Sequence, residues 1–352
     1  MLVILKSEST REEHERIMER VEQAGGRAEL HVPKESVIVI NGCTPSLLDE
    51  IGLLPGVASV RHNTGGQWLS SRERQPEDTV VEIRGCCIGG DAPPVLMAGP
   101  CAVESRDQVF QIAEHAKRAG ASFLRGGAFK PRTNPYSFQG LGEQGLELLS
   151  EVRDRLGLRI VTELRDVSTL DLFIKHEIDM IQIGARNMQN YEMLRLVGRS
   201  GVPVMLKRNP ACGIAEWLQA AEYIMLEGNS QVVLCERGVT AARGSRTRYM
   251  LDLAAVPIVK EMSHLPLVVD PSHAAGDRKW VPALARAAVA AGAAGLLIEV
   301  HHAADEALCD GPQSISPATL HELVSGLRAL GQMPSRQYVQ ARAKFKLIES
   351  RS

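Results

Sequence analysis

The sequence predicts an α/β protein, a (β/α)8 TIM barrel preceded by a small ferredoxin-like (βαββαβ) domain. Two observations predict it. From Pro94 onward, short and continuously apolar segments alternate eight times with amphipathic ones. Strands apolar along their whole length are buried on both faces, which means a parallel sheet, and eight such units over roughly 240 residues close a barrel. Before that region, residues 1–63 read as strand, helix, strand, strand, helix, strand, the split pattern of a ferredoxin-like unit. A doubly wound open sheet is the structural rival. It would need a Gly-rich dinucleotide fingerprint after the first strand, and none follows.

In chain order, Leu2–Lys6 is a short strand. Thr10-Arg-Glu-Glu13 is a capping box that opens a helix ending at Gly25-Gly26. The β-rich runs Arg27–Val32 and Ser36–Asn41 follow, then a short helix from Pro45 and a strand at Val57–Arg61. The first domain is therefore expected over residues 1–65, with a polar linker and a hairpin (Thr79–Ile88) over 66–90. The barrel is expected over 91–331. Its strands are Val95–Ala98, Phe123–Arg125, Arg159–Glu163, Met180–Ile183, Val202–Lys207, Val232–Glu236, Leu267–Asp270 and Gly295–Glu299, with helices such as Arg106–Ala119, Gly142–Leu156 and Ile214–Glu227 between them. Residues 332–352 read as a polar, slightly basic tail.

Composition narrows the function classes. The net charge is -2, so no global field draws the chain to nucleic acid or to an anionic membrane. The N-terminus turns polar by Lys6 and does not read as a secretory signal, and the longest apolar stretch, Ala283–Val300, is a core helix and strand interrupted by Arg286. The 7 cysteines are odd in number and sit mostly in apolar runs, which suits free thiols in a reducing, cytoplasmic setting.

Barrel active sites are built at the C-terminal strand ends. Here those ends carry Arg125, Lys130 and Arg132 after the second strand, Arg186 after the fourth, Lys207-Arg208 at the fifth and Arg237 at the sixth. Any single Arg more often caps its own helix or meets a surface carboxylate. As a set, converging cations repel unless anions neutralise them, so a pocket for a multiply anionic ligand is expected. Cys101, His273, Glu299 and Asp310 fall on the same rim. A lone buried Cys or His is usually core; thiolate, imidazole and two carboxylates together can hold a divalent ion, with Zn, Fe, Mn and Co all open.

These motifs carry a resemblance. Ala98-Gly-Pro-Cys-Ala-Val-Glu104, Leu124-Arg-Gly-Gly-Ala-Phe-Lys-Pro-Arg-Thr133, Gln182-Ile-Gly-Ala-Arg-Asn-Met-Gln-Asn190, Cys235-Glu-Arg-Gly238, Val269-Asp-Pro-Ser-His-Ala274, Ile298-Glu-Val-His301 and Asp310-Gly-Pro-Gln-Ser314 resemble those of 3-deoxy-D-arabino-heptulosonate 7-phosphate (DAHP) synthases with an N-terminal ferredoxin-like domain. The resemblance implies a transferase that condenses phosphoenolpyruvate with erythrose 4-phosphate at the head of aromatic amino acid biosynthesis. It implies metal ligands at Cys101, His273, Glu299 and Asp310. Arg125 and Lys130 fall on the carboxylate of phosphoenolpyruvate; Ala185, Arg186, Lys207 and Arg237 fall on its phosphate. Glu163 falls beside the reacting water, and Arg132 and Thr133 fall on the aldose phosphate, so Lys130, Glu163, Lys207 and His273 are the expected catalytic set. A homo-oligomer, dimer or tetramer, and an aromatic amino acid effector on the first domain are implied too.

Two loops depart from the family pattern, Asn209–Gly213 and Thr240–Tyr249, and both overhang the mouth. The alternative reading is therefore the same condensation on a different aldose phosphate in secondary metabolism. A non-catalytic regulatory barrel would be expected to have lost a metal ligand, and all four are present.

Overall fold

A computed structural model describes residues 2–31, 37–42, 44–61, 67–331 and 333. The expected tail, apart from Met333, and residues 62–66 of the expected boundary lie outside the described residues.

The first six elements are β1 (Leu2–Leu5), α1 (Arg11–Gln23), β2 (Arg27–His31), β3 (Val37–Asn41), α2 (Pro45–Gly52) and β4 (Val57–Arg61). They form an antiparallel sheet in the order β2-β3-β1-β4, the ferredoxin-like arrangement expected. The capping box forms as read: Glu13 N–H donates to Thr10 Oγ1 at 3.3 Å, and Thr10 N–H donates to Glu13 Oε2 at 2.8 Å. Strand alternation then sorts the side chains. Val3, Leu5, Ile38 and Ile40 face Ile17, Val21 and Ile51 of the helices. Ile4 and Val37, one residue out of phase, join the apolar layer of the barrel instead.

A hairpin, β5 (Val81–Ile83) and β6 (Cys86–Ile88), precedes the barrel. The barrel strands are β7 (Val95–Gly99), β8 (Phe123–Arg125), β9 (Arg159–Leu164), β10 (Met180–Ile183), β11 (Val204–Lys207), β12 (Val232–Glu236), β13 (Leu267–Val269) and β14 (Gly295–Glu299). All pair in parallel and β14 closes onto β7. The helices are α3 (Arg106–Ala119), α4 (Glu143–Leu156), α5 (Leu170–Lys175), α6 (Tyr191–Arg199), α7 (Ile214–Leu226), α8 (Ala255–Met262), α9 (Pro271–Ala275), α10 (Val281–Ala290) and α11 (Pro317–Ala329). Several strand ends differ from expectation by one or two residues: β1 stops at Leu5, β7 and β9 run on to Gly99 and Leu164, and β11 starts at Val204. Asp270 leaves β13 to cap α9, where its side chain accepts the N–H of His273 at 3.0 Å.

The period of two along each strand places the site. Met97, Phe123, Val161, Met205, Val233, Cys235 and Leu297 fill the barrel interior, and Val81, Ile83 and Ile88 of the hairpin plug its lower end. Leu96, Leu124, Ile160, Leu206 and Leu234, at the alternate positions, pack outward against the helices. Two residues beyond the interior set, on the same inward phase, come Arg125, Glu163, Lys207, Arg237 and Glu299. The apolar plug stops where the polar mouth begins.

The segment before the hairpin is pinned to the barrel by one carboxylate. Glu222 of α7 accepts from the N–H groups of Trp68 (3.0 Å), Leu69 (2.9 Å) and Ser70 (2.6 Å) and from Ser70 Oγ (2.6 Å). The 6 cysteines among the described residues are all free thiols, as expected.

Candidate active site

A cavity of about 390 Å³ opens at the C-terminal ends of the strands. A second, of about 260 Å³, lies at the opposite end beside Pro266 and His264. Barrel chemistry is done at the C-terminal ends, so the upper cavity is the candidate active site.

Lys130, Arg132, Arg186, Lys207, Arg237 and Arg248 line it, with Thr133, Ala185, Glu163, Tyr249, His273, Cys309 and Asp310. The cluster of cations expected from the strand ends is therefore present, with two revisions. Arg208 does not face the cavity: it is buried against Glu236 (3.0 Å) and Asp252 (2.8 Å) beneath the ring of Trp217. Its inclusion in the mouth is overturned by the strand phase, since Lys207 takes the inward position and Arg208 the outward one. Arg125 lies below the cavity rather than on its wall, with Nη1 bonded to the carbonyl of Pro100 and 3.0 Å from Glu299 Oε1. Arg248 and Tyr249 were not singled out individually by sequence reasoning. Arg237 stacks on the Tyr249 ring at 4.1 Å, and its Nη1 is buried without a hydrogen-bond partner.

The protein supplies some counter-charge of its own. Lys207 Nζ donates to Asp270 Oδ2 at 2.5 Å, and the same oxygen is 2.7 Å from His273 Nδ1. Burial alone would protonate Asp270; His273 and Lys207 override it and hold the carboxyl well below its usual range. Glu163 lies close against the backbone of Gly184: a Cβ there would fall 1.9 Å from Glu163 Oε1 and push the carboxylate aside.

The four expected metal ligands lie together under this cavity. His273, Glu299 and Asp310 offer donor atoms within 4.8 Å of one another, and so do Cys101, Cys309 and Asp310. Cys101 Sγ is 3.7 Å from Asp310 Oδ2; His273 Nε2 is 3.7 Å from Glu299 Oε1 and 4.0 Å from Asp310 Oδ2. Burial opposes charge on Glu299, but His273, Arg125 and Lys130 hold its carboxyl down at about 2. Burial pushes His273 below its ordinary value, which leaves the neutral imidazole that metals bind. Glu299 Oε1 is buried and makes no hydrogen bond beyond its 3.0 Å ion pair with Arg125. Mixed S, N and O donors around such a carboxylate oxygen fit a divalent ion.

Sequence reasoning missed three neighbours. Cys309 Sγ lies 3.0 Å from Cys101 Sγ; its only sequence signal was adjacency to Asp310. Gln313 Nε2 donates to Glu299 Oε2 at 2.6 Å and to Asp310 Oδ2 at 3.2 Å, orienting both. Asp270 sat in a matched motif without a role assigned. Lys130 Nζ donates to Cys101 Sγ at 3.1 Å. Burial would discharge this lysine, yet the sulfurs of Cys101 and Cys309 and the carboxylate of Glu163 hold its value above the ordinary one.

Residues 73–333 match the model of the DAHP synthetase I family. The chain belongs to that family. It is 41% identical over 332 residues to a phospho-2-dehydro-3-deoxyheptonate aldolase of Thermotoga maritima, covering 94% of this chain and 97% of that protein. A 2-dehydro-3-deoxyphosphooctonate aldolase of Syntrophobacter fumaroxidans is 34% identical over 252 residues, 66% of this chain and 85% of that one. The crystal structure of the Thermotoga maritima DAHP synthase superposes with a TM-score of 0.74, covering 94% of this chain and 96% of that chain. This member of the family is an enzyme with the TIM barrel of its relatives, and no helix among the described residues is long and apolar enough to cross a membrane.

Proposed function

We propose that this chain condenses phosphoenolpyruvate with erythrose 4-phosphate and water to give DAHP and inorganic phosphate, the first step of the shikimate route. The observation that carries the reading is the ring of six cavity cations set above Cys101, His273, Glu299 and Asp310. Family membership and the 41% relative support it across the chain.

In the proposed arrangement Lys130 takes the carboxylate of phosphoenolpyruvate with the charge of Arg125 beneath it, while Arg186, Lys207, Arg237 and the N–H of Ala185 take its phosphate. Arg132 and Thr133 hold the phosphate of the aldose. Two polyanions are thereby fixed side by side, so proximity and electrostatics supply most of the rate. C3 of phosphoenolpyruvate attacks the aldehyde carbon, and positive charge develops at C2. Glu163 and Lys207 position the water that adds there, and the phosphate leaves by C–O cleavage onto the cations that already held it. Cys101, His273, Glu299 and Asp310 would hold a divalent ion, Mn, Fe, Zn or Co, which when bound supplies Lewis-acid polarisation of the aldehyde oxygen.

Product identification by mass spectrometry tests the reaction: DAHP forms from the two substrates, and Cys101→Ala abolishes metal-dependent turnover while the melting curve stays cooperative. Near-normal activity in that variant, or after complete chelation, sinks the reading. A panel of four- and five-carbon aldose phosphates tests the acceptor, because the loops 209–213 and 239–249 overhang the Arg132 side; a pentose phosphate as the better substrate would replace erythrose 4-phosphate. We assign residues 1–65 as a regulatory unit for an aromatic amino acid, 66–90 as linker, 91–331 as the catalytic barrel and 332–352 as a tail, in a cytoplasmic homo-oligomer. A melting shift with tyrosine or phenylalanine, and sedimentation, check these assignments.

A further inference from the structure

Cys309 has no place in the reaction proposed above, and its surroundings are not those of a core cysteine. Cys235, for comparison, sits inside the barrel among Met205, Val233 and Val268. Cys309 instead lines the catalytic cavity, and its sulfur accepts a hydrogen bond from Arg132 Nη1 at 2.6 Å. A guanidinium is placed against sulfur where the sulfur carries negative charge.

The second contact is with Cys101. The two sulfurs are 3.0 Å apart, well outside the bonded distance of about 2.05 Å, and joined by an S–H···S hydrogen bond. Cys101, Cys309 and Asp310 then present two sulfurs and an oxygen within 4.8 Å of one another, a spacing that donor atoms around one ion adopt. Lys130 Nζ lies 3.1 Å from Cys101 Sγ, so each sulfur has its own cationic N–H donor. N–H donors of this kind surround metal-bound thiolates and stabilise them in that state.

We propose that Cys309 is a second sulfur ligand of the metal site, added to Cys101, His273, Glu299 and Asp310, so that soft divalent ions, Zn²⁺ above all, gain a second thiolate through the Cys101, Cys309 and Asp310 side of the site. The inference rests on the proposed role of Cys101. On binding, both thiol protons leave to solvent and no redox change occurs. A two-thiolate set favours Zn²⁺ and Co²⁺ over Mn²⁺, whose preference is for oxygen donors.

Titration of the full chain with Co²⁺, anaerobically and with reductant, reads the number of bound sulfurs through the near-ultraviolet sulfur-to-cobalt charge-transfer band. Cys309→Ser is expected to remove about half of the band, as each thiolate contributes separately. Its Zn²⁺ affinity, by competition with a chromophoric chelator, is expected to fall ~10–100-fold, with Mn²⁺ affinity changed far less. An undiminished band in Cys309→Ser overturns the proposal and leaves Cys101 as the sulfur ligand. A wild-type protein that binds Co²⁺ with no such band overturns both assignments. X-ray absorption on the Zn²⁺-loaded wild type counts the sulfurs without any variant: two support the proposal, one refutes it.

Discussion

The carboxylate of Asp270 reaches Nδ1 of His273 at 2.7 Å from the residue that caps the short helix carrying that histidine. It does so while also bonding the Lys207 ammonium. One buried group thus fixes the imidazole and a cavity lysine together, leaving His273 Nε2 toward Glu299 and Asp310. Asp270→Asn keeps the shape but removes the charge. Metal affinity is expected to fall ~10–100-fold, as for other carboxylates that back a metal-binding histidine. Isothermal titration with Zn²⁺ or Mn²⁺ checks it; unchanged affinity would show that Asp270 serves Lys207 alone.

Arg237 is the cavity cation with an unpaired buried N–H, and its guanidinium lies over the Tyr249 ring. A group so placed gains its partner only when an anion arrives. Arg237→Ala is expected to cost about 1.5–3 kcal/mol of binding to charged substrate, which is roughly 10–100-fold in kcat/KM for phosphoenolpyruvate. The KM for the aldose phosphate should move much less. Steady-state kinetics with each substrate varied in turn separates the two; equal effects on both would misplace the phosphate site.

The barrel was legible because burial on both faces leaves strands such as Val232–Cys235 without a polar residue, and a short run of that kind between amphipathic helices belongs to a covered parallel sheet. The cations were legible at strand ends because the barrel's geometry assigns those ends to chemistry. Arg208 was misplaced for a local reason: adjacent residues on a strand point oppositely, and the run Lys207-Arg208 does not say which is inward until the phase is anchored by Met205. Cys309 escaped because a single cysteine has no period, and its neighbour across the rim is 208 residues away in sequence. Glu222 escaped likewise, since its partners are backbone N–H groups, which any sequence supplies.

Glu222 is the group most exposed to test by deletion. Three backbone N–H groups and a hydroxyl converge on it from residues 68–70. Glu222→Ala leaves those donors buried without acceptors, at an expected cost of about 2–4 kcal/mol. Hydrogen exchange at Leu69 and Ser70 should accelerate before that of the barrel strands. Uniform acceleration across the chain would mean that this segment does not open separately.

Glu227, just past the end of α7, joins two arginines of α6: Arg195 Nη1 at 3.0 Å and Arg199 Nε at 2.8 Å. Burial works against its charge, but Arg199 and Arg195 prevail and keep its carboxyl below the ordinary value of 4.5. A depressed folded-state value means that the stability it contributes is complete above that ordinary value and disappears as pH falls through the lower, folded one. Arg199 is mostly exposed, so screening limits the contribution to ~1 kcal/mol. The melting temperature of wild type should therefore exceed that of Glu227→Gln at pH 7 by a small constant margin. The margin should hold to about pH 5 and then close on further acidification. A margin that persists below the folded-state value, or that widens there, would mean the carboxylate's charge is not what ties α6 to α7.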